Sequence, residues 1–219
     1  MKNALAWLLW LVLSVTLAAS YLLAPPLEGF RGGGESSRML FFHVPMAWSS
    51  FVAFLTAGVW SAVFLRGRKR YQDLAAKAAV EIGLVFCILA TASGAVWAKV
   101  EWGEFWNWDP RQTTITLALV FYAAYLALRE AVADREVASR LAAVYGVLGL
   151  VVAPFLFFVA PRMSGFSLHP EPVVNTEGDV QMDMSVLWIL IVSSLCFMVL
   201  FFWIHDLRRR QAALEERNP

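Results

Sequence analysis

The sequence predicts an all-α, polytopic membrane protein with six transmembrane helices and both termini cytoplasmic. Three observations carry that expectation. Of the 219 residues, 59% are hydrophobic and only 16% charged, whereas soluble domains average about a quarter charged. The charges are clustered, leaving long apolar runs between them. Each run also approaches the ~20 residues that a ~30 Å hydrocarbon core demands.

The first run, 4–23, follows Lys2 and carries Trp7 and Trp10. Its small residues Ala18-Ala19-Ser20 resemble a signal-peptide end, but the stretch is longer than a signal core, so an uncleaved anchor is expected. The second run, 44–65, follows His43 and contains Pro45. The third is 79–98. The fourth, 113–128, is the shortest and starts at Pro110, with Asp109 as its N-cap. The fifth and sixth are 141–160 and 185–205. Residues 1–219 therefore read as a single integral-membrane domain without repeats or linkers.

The basic residues set the expected orientation. Thirteen of the 18 Lys and Arg residues fall on one side: Lys2, the Arg66–Arg70 run, Lys77, Arg129, Arg135, Arg140, Arg208 to Arg210 and Arg217. Five fall on the other: Arg31, Arg38, Lys99, Arg111 and Arg162. Loops 24–43, 99–112 and 161–184 then face outward. The "RGRKR" run reads as a solvated surface that fixes topology, with contact to a partner's ATPase as the alternative. The charge pattern suits membrane lipid and calls for no nucleic acid. Cys87 and Cys196 lie in apolar runs without a C-x-x-C pattern and read as small buried hydrophobes.

Polar chemistry gathers on the outer face. The stretch "VEWGEFWNWDPR", residues 100–111, is too polar to span a bilayer and too aromatic for an ordinary loop. A short surface helix would put Trp102, Trp106 and Asp109 on one side, flanked by Phe105, with Gly103 permitting close approach. Pro110 forces a turn at Asp109. Single interfacial tryptophans form belts, but three within seven positions make a platform of the kind that marks a binding site. Asp109 is fully explained by helix capping alone.

Two of the three histidines share that face: His43 in "SSRMLFFHVPMAW" and His169 in "SGFSLHPEP". The third, His205, reads as an interfacial residue at the far end of the last helix. Two imidazoles are too few for a structural zinc site, yet they suffice for the axial positions of a haem iron. Indoles would supply apolar walls. Arg38, Arg111 and two helix starts could receive the propionates.

"WGEFWNWD", residues 102–109, resembles the W-G-x-x-W-x-W-D motif of the haem-handling proteins of cytochrome c maturation. Six helices in about 220 residues resemble the CcmC, or haem exporter protein C, branch. The Arg38-to-Pro45 segment resembles its R-x-x-x-x-H-V-P pattern, and "SLHP" resembles its L-H-Q segment, with Pro170 in place of the glutamine. This resemblance implies that His43 and His169 are axial ligands of a transient, non-covalent haem b. It implies that Trp102, Gly103, Phe105, Trp106, Trp108 and Asp109 form the haem-binding stretch of an external loop, 99–112. Arg38 and Arg111 are the propionate candidates.

The resemblance further implies a multi-pass protein of a bacterial inner membrane that presents haem at the periplasmic face during c-type cytochrome biogenesis. Its implied partners are a CcmE-type periplasmic haem chaperone, ABC transporter subunits of CcmA/CcmB type and a small CcmD-type membrane protein. No G-x-x-x-x-G-K-[ST] motif occurs here, so ATPase activity is expected in the partners and this chain is expected to be no enzyme. Loop 161–184, with Gly165, Gly178, Pro161, Pro170 and Pro172, reads as a movable element that frees one axial position. The rival expectations are a b-type electron-transfer subunit, a permease with mid-membrane charges, for which the only acidic candidate, Glu81, is explained by the helix dipole near the cytoplasmic start of the third run, and a subunit whose Trp-rich loop only docks partners.

Overall fold

The computed structural model describes residues 2–24, 26–27, 30–169 and 182–215. Among these, all regular structure is helical. α1 is Lys2–Leu22, α2 Leu40–Gly67, α3 Arg70–Trp102, α4 Pro110–Ala131 and α5 Arg135–Pro154. A π-helical turn, Phe155–Val159, links α5 to the short α6, Ala160–Met163, and α7 is Met184–Glu215. A 3₁₀ segment, Gly34–Met39, leads into α2. Five helical stretches are long and apolar enough to cross a membrane: 34–67, 70–102, 110–131, 135–163 and 184–215. α1 contributes a shorter apolar stretch, Trp10–Ser20.

Most helices outrun the expected spans, because hydropathy marks only what lipid must cover while helical geometry continues past it. α3 begins nine residues early and α7 ends ten residues late. This changes the reading of two polar residues. Glu81 is three turns inside α3, where it accepts from Arg208 Nε of α7 at 2.8 Å. An ion pair, not a helix start, explains it. His205 is buried, and its Nε2 meets the Ala75 carbonyl of α3 at 2.9 Å. It is an interhelical tie rather than a solvated interfacial residue. Both cysteines are buried as expected, Cys196 beside Thr16 of α1 at 3.4 Å.

The core lies where α2, α3, α4 and α5 meet. Phe54 of α2 stacks on Tyr122 of α4 with centroids 3.6 Å apart, and the Tyr122 hydroxyl donates to Gly149 of α5 at 3.2 Å. A buried tyrosine thus keeps its polar atom paired. α1 runs antiparallel to α7: Ala24 clusters with Val186 and Leu190, and Leu13 with Cys196. The start of α1 and the end of α7 therefore lie at one end of the bundle, and the α3–α4 corner sits at the other.

One polar cluster pins the first of these ends. Asp73 of α3 is 1% exposed and takes both terminal nitrogens of Arg129 from α4, at 2.6 and 2.8 Å. Ser139 of α5 donates to it at 2.9 Å, and Arg70 pairs with it as well. Three side chains, one each from α3, α4 and α5, converge on one carboxylate, so Asp73 fixes how α3, α4 and α5 splay. A second tie lies near the other end. Pro45 has no N–H, so the Phe41 carbonyl four residues earlier has no partner within α2. Ser193 of α7 donates to it at 2.6 Å.

Removing either partner of the buried pair, by Asp73→Ala or Arg129→Ala, is expected to cost about 3–5 kcal/mol, since it strands the other charge. Thermal unfolding of the detergent-purified protein measures it, and a loss no larger than that of an exposed-pair variant such as Glu136→Ala would refute the buried-pin role. Ser193→Ala should cost about 1–3 kcal/mol by orphaning the Phe41 carbonyl. In a Pro45→Ala background, which restores the helical N–H, the same change should cost little. Equal costs in both backgrounds would show that Ser193 does not serve that carbonyl.

Candidate functional site

α3 stops at Trp102 because Gly103 adopts a left-handed φ of 87°, its N–H bonding back to Lys99 O at 3.1 Å. That conformation suits glycine. Nothing lies within 4 Å of a Cβ placed there, so backbone geometry rather than close approach requires Gly103. Pro110 then holds Asp109 extended, at φ −50° and ψ 143°, as the N-cap of α4. The expected surface helix through Trp102, Trp106 and Asp109 is therefore not formed. Gly103 ends one helix, Pro110 starts the next, and residues 103–109 form a tight corner between them.

The corner is built on side-chain bonds. Asn107 N–H donates to Gln112 Oε1 at 3.1 Å, Asp109 N–H to Asn107 Oδ1 at 3.2 Å, and Lys99 Nζ to Gly103 O at 2.7 Å. Trp106 and Trp108 meet edge to face at 5.9 Å, with Trp108 at a left-handed φ of 61° and 73% exposed. Phe105 is also exposed, beneath the Lys99 ammonium. The aromatic residues thus divide, with Trp102 turned toward His169, their ring centroids 5.0 Å apart.

Asp109 does more than cap. Its Oδ1 accepts from Arg111 N at 2.9 Å and from His169 Nδ1 at 2.7 Å. Its Oδ2 accepts from Leu168 N at 2.7 Å and from Ser167 Oγ at 2.9 Å. Burial pushes this carboxyl up, but the two backbone N–H groups, the His169 ring and the Ser167 hydroxyl outweigh it and hold its pKa below the usual range. An ionised carboxylate only accepts, so His169 Nδ1 carries the proton and Nε2 keeps its lone pair. Burial lowers the His169 pKa most; Asp109 opposes this, Arg111 adds to it, and the net shift is downward.

His43 sits in the second turn of α2, against α3. Its Nδ1 lies 3.0 Å from the Ala90 carbonyl and 3.2 Å from Ser93 Oγ. A carbonyl cannot donate, so here too Nδ1 bears the hydrogen and Nε2 is the open nitrogen. Gly94 makes the fit possible: a Cβ there would stand 2.7 Å from His43 Cε1. Trp97 meets the His43 ring edge-on at 5.8 Å and stacks on Phe30 at 5.7 Å. Trp97 Nε1–H is buried without a hydrogen-bond partner among the described residues. Arg111 lies within electrostatic range of both imidazoles, and the two rings within range of each other.

The structure thus gathers His43, His169, Trp102, Asp109 and Arg111. Arg38 forks onto Glu35, at 2.7 and 3.2 Å, and reaches the Ser20 carbonyl of α1 at 3.4 Å. Pro170, Pro172 and Gly178 of the loop expected to move lie outside the described residues. Sequence reasoning passed over Gly94, Trp97 and Glu101. Glu101 is buried and binds the loop before α2, accepting from Arg31 N at 2.7 Å, Gly32 N at 3.4 Å and Ser36 Oγ. A carboxylate one residue short of a helix end was the available signal. Among the described residues no three His, Cys, Asp or Glu side chains group as a metal site.

The family model described as "Heme exporter protein C" matches residues 1–219. A heme exporter protein C of Bradyrhizobium diazoefficiens is 33% identical over 184 residues, covering 84% of this chain and 69% of that one. The Rhodobacter capsulatus protein of the same name is 32% identical over 193 residues, covering 84% and 79%. The Paracoccus denitrificans one is 38% identical over 120 residues, 55% of this chain and half of that relative. The chain belongs to the haem exporter protein C family.

Proposed function

We propose that this protein holds haem as a cargo between His43 and His169 at one membrane face and hands it to a haem chaperone during c-type cytochrome maturation. The observation that carries the reading is the pair of anchored imidazoles. Each Nδ1 is tied to an oxygen acceptor, Ala90 O for His43 and Asp109 Oδ1 for His169, which leaves each Nε2 unprotonated. Metal-binding histidines are oriented by such bonds through the second nitrogen. Haem iron takes two axial nitrogens and no further protein ligand.

The other residues fit that cargo. Trp102 and Trp97 set apolar rings beside the two imidazoles, and the unpartnered Trp97 Nε1–H can serve an acceptor on the cargo. Arg111 adds positive charge near both rings, where a propionate would sit favourably. Arg38, already forked onto Glu35, would have to exchange that partner to reach a propionate. Phe105 and Trp108, with Gly103 fixing the corner and half-buried Trp106 behind them, offer an exposed aromatic rim suited to a docking chaperone.

Orientation follows from charge. Counting α1 as a sixth span, the basic end of the bundle is the cytoplasmic one, with both termini there. The haem site then lies at the periplasmic face of a bacterial inner membrane. The partners in this reading are a CcmE-type chaperone, a CcmA/CcmB-type transporter that supplies ATPase activity, and a small CcmD-type protein. This chain holds and releases non-covalent haem b without catalysis.

Transfer needs a cargo that is gripped but not sealed in. His43 rides on two packed helices, whereas His169 rides on a short segment tied down by Asp109. Breaking that tie frees one axial position while the other still holds.

Absorption spectroscopy of the purified protein with added haem tests the ligands. The wild type should give a bis-imidazole, low-spin spectrum. His43→Ala and His169→Ala should each lose it and weaken binding by about tenfold or more, and retention of that spectrum in either variant would reject the assignment. Asp109→Asn should leave His43-bound haem while loosening the second ligand, giving a mixed-spin spectrum and faster transfer to the chaperone. An unchanged spectrum and transfer rate would limit Asp109 to capping.

A further inference from the structure

The opposite end of the bundle carries a concavity of about 380 Å³ between the α2–α3 turn and the start of α5. Four guanidiniums line it, from Arg68, Arg70, Arg135 and Arg140, against the single carboxylate of Glu136. Phe64 and Ser139 complete the wall. Arg70 is committed to Asp73 and Ser139, and Arg140 to Glu136. Among the described residues, Arg68 and Arg135 show no ion-pair partner. α3 and α5 also begin here, so the positive ends of two long helix dipoles add to the field.

The backbone at Arg68 is a separate indication. Arg68 is the C-cap of α2 at a left-handed φ of 52°, ψ of 23°, a conformation in which glycine is the easier residue. Only two non-glycine residues among those described adopt positive φ, and the other, Trp108, lies in the α3–α4 corner. An arginine kept in a strained cap, its guanidinium on a basic concavity, points to a use for that charge.

The geometry points to a binding site for a phosphate anion, whose fitting source is the headgroup of an anionic phospholipid. The chemistry matches on each count. Guanidiniums recognise phosphate oxygens in forked pairs. The concavity is formed by the ends of helices long and apolar enough to cross a bilayer, the level at which headgroups lie. Phe64, 5% exposed, gives its wall an apolar element for the glycerol and first acyl carbons. Basic pockets between helix ends are how membrane proteins hold such lipids. The basic run at Arg66–Arg70 thereby gains a role beyond fixing topology.

The test uses the full-length protein in a neutral detergent, titrated with phosphatidylglycerol, phosphatidylcholine or inorganic phosphate while its thermal unfolding is followed. Phosphatidylglycerol should stabilise saturably and phosphatidylcholine should not. Arg68→Gly should weaken the apparent affinity about fivefold, the share of one near-surface cation, without lowering the unfolding temperature of the lipid-free protein, since glycine relieves the strained φ. Arg135→Ala should weaken it similarly. Arg66→Ala removes an equal charge from the same run outside the concavity and should leave affinity unchanged. Saturation by inorganic phosphate alone, sensitive to the same two variants, supports the anion site and assigns it to a soluble phosphate. Equal responses to the two lipids, or equal losses in Arg66→Ala and Arg68→Gly, would overturn it.

Discussion

The carboxylate of Asp109 is the constraint on which the candidate site depends. Its two oxygens take four donors: the first N–H of α4, that of Arg111, and three groups of the 167–169 segment. A single ionised group thus starts α4 and tethers the 167–169 segment to it. The low pKa follows from that arrangement, because the donated hydrogens and the His169 ring together favour the charged form more than burial disfavours it. Without the helix start there would be no fixed carboxylate, and without the carboxylate His169 would have neither tautomer nor position.

His43 is held by a different means. It relies on packing between α2 and α3, with Gly94 leaving room for the ring and Ala90 offering a carbonyl. Each of those helices is tied to others as well, α2 to α7 by Ser193 on the Phe41 carbonyl and α3 to α4 and α5 by the Asp73 cluster. The two imidazoles therefore differ in what it costs to move them. One is embedded in the helical core, and the other is secured by hydrogen bonds from a few consecutive residues. An asymmetry of this kind suits a protein that must release what it binds.

The helices were legible in the sequence because lipid imposes a plain requirement, some twenty apolar residues per crossing. Pro110 and Asp109 also announced their helix start. The corner between α3 and α4 was not legible in the same way. Gly103 was read as room for close approach, whereas it stops a helix through positive φ, and that error carried Trp106 onto a helical face that does not exist. The pairing of Asp109 with His169 joins residues sixty positions apart, and nothing local to either announces it. Capping explained Asp109 so completely that its second role had no residual signal. Glu81 and His205 were misread for a related reason: hydropathy gave shortened helices, and their true partners lay on other helices.

The central claim is that two imidazoles present open Nε2 atoms toward one cargo, each fixed by a bond at Nδ1. Nitrogen NMR of ring-labelled histidines in the haem-free protein at neutral pH tests it most directly. The account predicts protonated Nδ1 and bare Nε2 for both His43 and His169. A protonated Nε2 on either ring would contradict it.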